Sequence, residues 1–460
     1  MIRKIFICMT LFILCTTLCA KEKIAVRLTP TAAELKAAAI PELKEPITMR
    51  TSAPNRLKVE AKLSDGRRLN AEFDIPIEPV FEVKDEYFKT LRPYKEKVPQ
   101  YSRQLIPNVA PGMLVRGSVV VSDAPKGAGK KYHQHADFWI DEFLGRIARH
   151  EKNMDDRPVY ISWKGRKQRI DSVVLTNGNK LVYRKGESKH LMPEPPVLAN
   201  GEVRLGNIFL PCGTTAVTDH NFFPVYERFY PVKLSPVADR LLPKTMAKLR
   251  KGEELYIIAW GDSITDGRYL KNYRGNRWQE RVVAGLQKRF PKAKIKLDTF
   301  AWGGRGITHF LNAPAKHKFN YKEKLLDRKP DLIIMEFHND YSRKADDVRR
   351  DYEKVLADFK SCGIEWLPMT PPLSTFGGLY NDFPAKAQNN IQGTTWPLVK
   401  MLRAFAAEKN LPLAETHERF VRVWRQGIPR LTLNTNHLNH PGYEGMQMIA
   451  DAVLEVFPAK

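Results

Sequence analysis

The sequence predicts a chain of two regions, a β-rich, sandwich-like region followed by an α/β region of three layers. Two observations carry this prediction. Residues 50–235 alternate polar and apolar side chains between short turns, whereas from about residue 255 onward apolar strands alternate with amphipathic helices. A connection that contains prolines, "RFYPVKLSPVADRLLPKT", separates these two sequence patterns. We therefore assign residues 21–235 to a β-rich accessory domain and residues 236–460 to an α/β domain.

Residues 1–20 have the layout of a secretory signal peptide. Arg3 and Lys4 precede a short apolar run that ends in small residues at Ala20. A transmembrane anchor usually needs about 20 apolar residues, and no later stretch of the sequence supplies them. We expect cleavage near Ala20 and export to the periplasm or the medium, with no transmembrane segment in the mature chain.

The chain is strongly basic, with a formal net charge of +24 that falls to +22 when Arg3 and Lys4 leave with the signal. Such a surplus favours an anionic partner, either an acidic polysaccharide or a membrane or wall surface, and export argues against nucleic acid. A basic surface that only maintains solubility is the alternative. The mature chain would keep Cys212 and Cys362, and an exported location permits one disulfide between them.

Two β-hairpins are predicted in the first region. The stretch "RLKVEAKLSDGRRLNAEFD" alternates around Asp65 and Gly66, and "QRIDSVVLTNGNKLVYRKG" alternates around Asn177 and Gly178. Asp-Gly and Asn-Gly between alternating runs are the strongest short signals for a hairpin turn. "GMLVRGSVVVSD" and "GEVRLGNIFLP" predict further strands. Together these strands predict a β-sandwich-like region.

One helix is expected among these strands, at residues 135–152. Just before and within it, His133, His135 and Asp137 would share one face if the chain were extended there, and such a face can bind a metal ion. No fourth ligand is apparent in the sequence, so a surface strand is the preferred interpretation and no metal is expected.

The second region predicts a parallel sheet covered by helices on both faces. Its strands are "LYIIAW", "AKIKLDTF", "DLIIMEFH" and "GIEWLPMT". Its helices are "NRWQERVVAGLQKRF", "ADDVRRDYEKVLADFKSC", "WPLVKMLRAFAAEKN" and "MQMIADAVLEVF". In such sheets ligands bind beyond the carboxyl ends of the strands, so the loops after the strands are the candidate site.

Four loops supply residues that suit acyl transfer. Ser263 follows the first strand, Gly303 the second and Asn339 the third, while His440 precedes the last helix. A serine hydroxyl is a weak nucleophile until a base removes its proton, and His440 can be that base. The backbone N–H groups of Ser263 and Gly303 and the side-chain amide of Asn339 can stabilise an oxyanion.

Each of these residues also has a purely structural interpretation. Ser263 can be the N-cap of a helix, and Asn339 and Asp340 can form an Asx turn. The glycines can be turn residues or cradle a phosphate, and His440 can be an ordinary loop histidine. The chemical interpretation is preferred because four loops each supply the residue type that one mechanism requires. Asp262 and Asp340 are expected to support these loops rather than react.

The second region resembles the SGNH hydrolases, the GDSL-type esterase superfamily, over roughly residues 255–460. "GDSITDG", "WGGRG", "ND" and "NHPGYEG" are similar to four of the family's sequence blocks. The resemblance implies a flavodoxin-like α/β/α fold and a serine esterase that needs no metal or organic cofactor. It also implies that Ser263 is the nucleophile, His440 the base, and Ser263, Gly303 and Asn339 the oxyanion hole.

The sequence departs from the family pattern at three positions. Ala301 stands where the family usually has Asn, Phe337 where it has Gly, and His437 where it has the Asp of Asp-x-x-His. That carboxylate normally orients the imidazole and stabilises its protonated form. A backbone carbonyl or another acid can orient His440 instead, or Ser263 and His440 work as a dyad, or the site is inactive.

The resemblance further implies removal of acetyl groups from a polysaccharide, and the basic charge suits an acidic glycan. One alternative is a lipid or aryl esterase with the same machinery. The other is a glycan-binding protein whose catalytic site has decayed. Fold-level likeness alone does not choose among these three.

Overall fold

The computed structural model describes residues 43–95, 104–226, 236–372, 397–436 and 439–459. The expected signal peptide, residue His437 and the expected domain boundary after residue 235 lie outside these ranges and stay predictions. Among the helices of the described ranges, none is both long and apolar enough to cross a membrane.

The first region is built of antiparallel strands. They are β1 (Thr48–Ala53), β2 (Arg56–Lys62), β3 (Arg68–Asp74), β4 (Phe81–Phe88), β5 (Gln104–Leu105), β6 (Val120–Ser122), β7 (Lys131–Tyr132), β8 (Phe138–Asp141), β9 (Arg146–Arg149), β10 (Val159–Gly165), β11 (Arg169–Leu175), β12 (Leu181–Arg184), β13 (Val203–Leu210) and β14 (Phe222–Pro224). They form sheets in the orders β1-β2-β3, β4-β10-β6-β7, β5-β9-β8 and β12-β11-β13-β14. The β-rich class of this region is therefore confirmed.

Both predicted hairpins are present. Strands β2 and β3 pair from Arg56 opposite Asp74 to Lys62 opposite Arg68, around the Asp-Gly turn. Strands β11 and β12 pair antiparallel around the Asn-Gly turn. Apolar residues of β1 and β2 share one hydrophobic core with residues of β11 and β13, so two of the sheets pack face to face.

The prediction of a helix at residues 135–152 is wrong, because this stretch forms the β8–β9 hairpin. Phe138 and Ile140 are buried and alternate with half-buried neighbours, which is the period of a strand. The preceding residues are not an extended strand either. His135 has a φ of 70° and the Asp137 carboxylate accepts a hydrogen bond from the backbone N–H of His133 at 2.8 Å, which closes a turn.

The second region is an α/β fold. Its strands are β15 (Glu254–Gly261), β16 (Lys294–Ala301), β17 (Leu332–Glu336) and β18 (Glu365–Pro368). Its helices are α1 (Ala238–Leu241), α2 (Pro243–Lys251), α3 (Ser263–Asp266), α4 (Trp278–Arg289), α5 (Ile307–Leu311), α6 (Tyr321–Lys324), α7 (Ala345–Cys362), α8 (Pro397–Lys409), α9 (Thr416–Arg425) and α10 (Tyr443–Leu454). Short 3-10 helices include His338–Ser342 and Arg430–Leu433.

The sheet of this region is parallel, in the order β16-β15-β17-β18. By sequence this order is 2-1-3-4, as in flavodoxin-like folds. Successive side chains of a strand point to opposite faces. Ile257 of β15 lies in the core shared with α2, α4 and α10, whereas Ile258 lies in the core shared with α5, α7 and α8. Helices therefore cover both faces, and the predicted three-layer α/β/α architecture is confirmed.

The permitted disulfide between Cys212 and Cys362 is not formed in this structure. Cys212 is buried and Cys362 is exposed, and both are free thiols.

Candidate active site

Three strand ends meet at one edge of the parallel sheet. In the register of the sheet, Gly261 at the end of β15 lies opposite Ala301 of β16 on one side and Glu336 of β17 on the other. The order of the strands reverses at β15, and such a switch point is where open α/β sheets bind ligands. The loop after β15, which contains Ser263, therefore starts at the centre of this edge.

Ser263 and His440 are brought together across 177 residues of sequence. Ser263 is the first residue of α3, and its Oγ lies 3.1 Å from His440 Nε2. The backbone around His440 is fixed on both sides: Thr435 N donates to His440 O at 2.8 Å and Gly442 N donates to Leu433 O at 2.6 Å. This geometry allows the imidazole to accept the serine proton.

The glycine-rich loop lies against the nucleophile. A Cβ built on Gly303 would be 3.7 Å from the Cβ of Ser263, so the Gly303 backbone borders the serine directly. A Cβ built on Gly306 would be 2.1 Å from Asp340 Oδ1, and that same oxygen accepts a hydrogen bond from Ile307 N at 3.2 Å. Asp340 therefore ties the second loop to the third, and the close approach requires glycine at position 306.

Asp262 orients Asn339. Its buried carboxylate accepts hydrogen bonds from Ile264 N at 3.0 Å, Asn339 N at 2.8 Å and Asn339 Nδ2 at 2.6 Å. An amide nitrogen carries two N–H groups, and only one of those of Asn339 Nδ2 is needed for the hydrogen bond to Asp262. The aspartate before the serine thus binds the backbone of its own loop and also fixes the Asn339 side chain.

Glu336 is a buried carboxyl group that sequence reasoning missed. It accepts a hydrogen bond from Thr265 Oγ1 at 3.2 Å and lies beside Asp262, and both carboxyl groups are fully buried. Burial raises the pKa of both groups, and the nearby Asp262 charge raises the pKa of Glu336 further. The N–H groups that Asp262 accepts oppose the rise in its pKa, so the rise is larger at Glu336. The available signal was an acidic residue closing an entirely apolar strand.

His440 is held by an aromatic ring. Tyr269 stacks on the imidazole with ring centroids 4.2 Å apart and an angle of 6° between the planes. The Tyr269 hydroxyl donates to Pro441 O at 3.1 Å. Burial lowers the pKa of His440 to about 4, so the ring is neutral and can act as a base at neutral pH. Within the described ranges, no carboxylate hydrogen-bonds the His440 ring.

The third loop contains two further buried rings. His338 stacks on Tyr341 with ring centroids 5.2 Å apart, and burial together with the nearby His440 lowers its pKa to about 4. Phe337 packs edge-on against Trp260, with ring centroids 5.1 Å apart, in the hydrophobic core. The residue that replaces the family's glycine is therefore accommodated by core packing.

A serine, a neutral imidazole and oriented N–H donors lie together at one edge of the sheet. These are the groups that acyl transfer requires. Among the residues whose placement is described, no group of three or more His, Cys, Asp or Glu side chains is arranged to hold a metal ion. Tyr269 and His338, like Glu336, were not found from the sequence, and no local pattern marks either ring.

Comparison with known protein families gives a match over this part of the chain. Residues 259–447 match the GDSL-like lipase/acylhydrolase family. The match spans Ser263, Gly303, Asn339 and His440, so the resemblance inferred from the four loops is confirmed, and the second region is a serine ester hydrolase domain. A search of curated proteins found no match.

Solved structures with similar folds include two acetyl esterases. Axe2, an acetylxylan esterase from Geobacillus stearothermophilus, is 19% identical, with 44% of this chain and 94% of that chain covered and a TM-score of 0.35. A two-domain esterase (CEX) active on acetylated mannans and co-crystallised with mannopentaose is 20% identical. That match covers 48% of this chain and 56% of the esterase, with a TM-score of 0.37.

Proposed function

We propose that this chain, in which residues 259–447 form a GDSL-like lipase/acylhydrolase domain, hydrolyses small acyl esters through Ser263 and His440. The single observation that carries the proposal is the 3.1 Å separation between Ser263 Oγ and His440 Nε2. Proton transfer requires a base within hydrogen-bond reach of the nucleophile, and this pair meets that requirement without rearrangement.

The reaction runs in two steps. Ser263 Oγ attacks the ester carbon while His440 Nε2 takes its proton, and His440 then returns that proton to the departing alcohol oxygen as the carbon–oxygen bond breaks. A water molecule next gives a proton to His440 and attacks the acyl-serine carbon. As the bond between that carbon and Ser263 Oγ breaks, His440 passes the proton to Oγ, which releases the carboxylic acid and restores the Ser263 hydroxyl. The low pKa of His440 keeps the imidazole neutral before each attack.

The oxyanion that forms in each step needs donors in place beforehand. The backbone N–H groups of Ser263 and Gly303 and the free N–H of Asn339 Nδ2 are assigned this role. Support comes from the Gly303 backbone against Ser263 and from the hydrogen bonds by which Asp262 fixes Asn339. Preorganised donors of this kind typically contribute about 10²–10³ each to kcat.

The substrate we propose is an acetyl ester on an acidic polysaccharide. The two esterases with similar folds also act on acetylated glycans, namely xylan and mannans. The loop at Gly303, Gly304 and Arg305 is exposed beside the nucleophile, so a polymer can reach it. The Arg305 guanidinium lies 5.7 Å from the centroid of the Trp302 ring and adds a cation at this rim. The net charge of +24 also favours an acidic substrate.

Hydrolysis of p-nitrophenyl acetate by the mature chain tests the chemistry. Ser263→Ala and His440→Ala should each lower kcat by about 10³-fold or more, because each removes a member of the reacting pair. Equal activity in both variants and the parent would contradict the assignment. No activity in the parent, together with retained glycan binding, would instead support the decayed binding protein.

A second assay tests the substrate. Acetate release from acetylated acidic and neutral glycans is compared with hydrolysis of p-nitrophenyl octanoate. We expect acetylated acidic glycan to be preferred, with a rate that falls as salt rises, since exposed charges are screened. A preference for the octanoate ester would favour the lipid or aryl esterase.

Export is part of the proposal. N-terminal sequencing of the chain recovered from the periplasm or the medium should give a start at Lys21, which follows the small residue Ala20. Recovery of the chain inside the cell with Met1 intact would contradict it.

A further inference from the structure

We propose that the β-rich region positions the catalytic base, because it holds the chain on both sides of His440. Residues 427–436 and 439–442 are called the histidine segment here. The β-rich region contacts this segment at Gly427 and again at Gly442. The inference rests on the proposed function, since it concerns His440 as the base for Ser263.

The first contact is a buried hydrogen bond. Asn207 of β13 is fully buried, and its Nδ2 donates to Gly427 O at 2.6 Å. Its Oδ1 accepts from Ser172 Oγ at 2.6 Å, which fixes which end of the amide faces the glycine. Beside it, Tyr226 N donates to Arg425 O at 2.6 Å. Buried hydrogen bonds between regions are costly to break, because each partner would be left unsatisfied.

The second contact is a close approach of Met192 to Gly442. A Cβ built on Gly442 would be 2.6 Å from Met192 Sδ, so the thioether rests directly on the glycine backbone, two residues after His440. Met192 has a φ of 47°, in the left-handed region that residues with a side chain rarely adopt. Such a conformation persists only where surrounding contacts impose it. The methionine is therefore held in place against the histidine segment.

Charges from the same loop reach the start of α10. Lys189 Nζ lies 3.3 Å from Glu194 Oε2, and both groups act on Glu444 of α10. Burial raises the pKa of Glu444, the Glu194 charge raises it further, and the charges of Arg281 and Lys189 oppose this rise. Charges of the β-rich region thus affect the pKa of a residue in the helix that begins directly after the histidine segment.

These contacts matter because the reaction depends closely on the position of the imidazole. His440 Nε2 lies 3.1 Å from Ser263 Oγ, and a misplacement of about 1 Å can cost roughly 10²-fold in rate. The hydrolase domain therefore does not fix its own base alone. The β-rich region contributes positioning residues, Met192 and Asn207, that do not touch the substrate.

The main test compares Met192→Ala with Met192→Leu in the full mature chain, with p-nitrophenyl acetate as substrate. Met192→Ala should lower kcat about 5- to 10-fold with KM within about twofold, because the base moves while the ester-binding atoms stay. Met192→Leu should restore most of the activity, since it keeps the apolar bulk. Val197→Ala is the matched control, because Val197 lies in the same loop and is 95% exposed.

A double variant tests the contact itself. Gly442→Ala should lower kcat because its methyl group would overlap Met192 Sδ, and Met192→Ala in the same chain should recover part of that loss. All rates are expressed per active site, counted with a fluorophosphonate that labels Ser263. A variant that merely unfolds loses labelled sites, whereas a misplaced base lowers the rate per site.

The outcomes separate this inference from the proposed function. If Ser263→Ala abolishes activity while Met192→Ala keeps the parent kcat and the double variant is additive, the positioning role is refuted and the esterase assignment stands. If Ser263→Ala is fully active, both are refuted. A lower kcat per site, rescued by Met192→Leu, supports the positioning role.

Discussion

Ser263 and His440 face each other, but their two loops are held by different interactions. The Ser263 loop is fixed by a buried polar network in which Asp262 accepts N–H groups and lies beside Glu336. The His440 ring is held by stacking on Tyr269, and Met192 packs against the backbone of Gly442, two residues further on. Side-chain hydrogen bonds thus hold the nucleophile loop, whereas the His440 ring is held by packing, on a backbone that hydrogen bonds fix.

This difference has a physical consequence. The polar network joins neighbouring strand ends, so the sheet itself aligns its members. The packing around His440 draws on residues far apart in the chain and includes the other region. We therefore expect a large fall in kcat when one buried hydrogen-bond partner near Ser263 is removed. Removal of one packing contact near His440 should lower kcat less.

Among the residues that support the reacting pair, the largest effect is expected from Asp262→Ala. Its removal leaves the N–H groups of Ile264 and Asn339 without their acceptor, so kcat should fall about 10²- to 10³-fold and stability by about 2–3 kcal/mol. Steady-state kinetics and urea unfolding measure the two effects. Asp266→Ala is the control, because Asp266 is the last residue of α3, is half-buried and pairs with Arg268. Equal losses in both variants would refute the network.

Tyr269→Leu should have an intermediate effect. Loss of the stacked ring frees the imidazole to rotate, and kcat should fall about tenfold with KM little changed. Tyr269→Phe keeps the ring and removes only the hydroxyl bonded to Pro441, so it should lose no more than about threefold. Equal kcat in the leucine and phenylalanine variants would show that the stack does not hold the base.

The protonation of His440 gives a further test of its packed environment. Burial lowers the pKa of His440 from 6.5 to about 4, so the ring should stay neutral as pH falls until it titrates near pH 4. Proton NMR of histidine Cε1–H groups, with the His440→Gln variant identifying the resonance, measures this directly. Titration near 6.5 would mean that the ring is solvated rather than packed.

His437→Ala should have the smallest effect. If Ser263 and His440 work as a dyad supported by packing, the residue at the family's aspartate position contributes little, and kcat should change less than about twofold. His440→Ala, assayed beside it, gives the scale. Comparable losses in the two variants would show that His437 takes part in the reaction.

Part of the fold followed from local patterns alone. The hairpin turns, the strand–helix alternation after residue 255 and the two-sided burial of β15 each depend on residues close together in sequence. The helix expected at residues 135–152 failed because the hydrophobic spacing there also fits period two, and the pairing of β8 with β9 decided between them.

The sequence by itself determined the α/β class and the four residue types of the candidate site. Sequence motifs and hydrophobic periodicity depend only on residues close together in the chain. Only the tertiary structure decided that Tyr269 stacks on His440 and that Glu336 lies beside Asp262. The same holds for Met192 against Gly442. These contacts join residues far apart in the chain, and no local pattern encodes which distant side chain fills the space beside a given one.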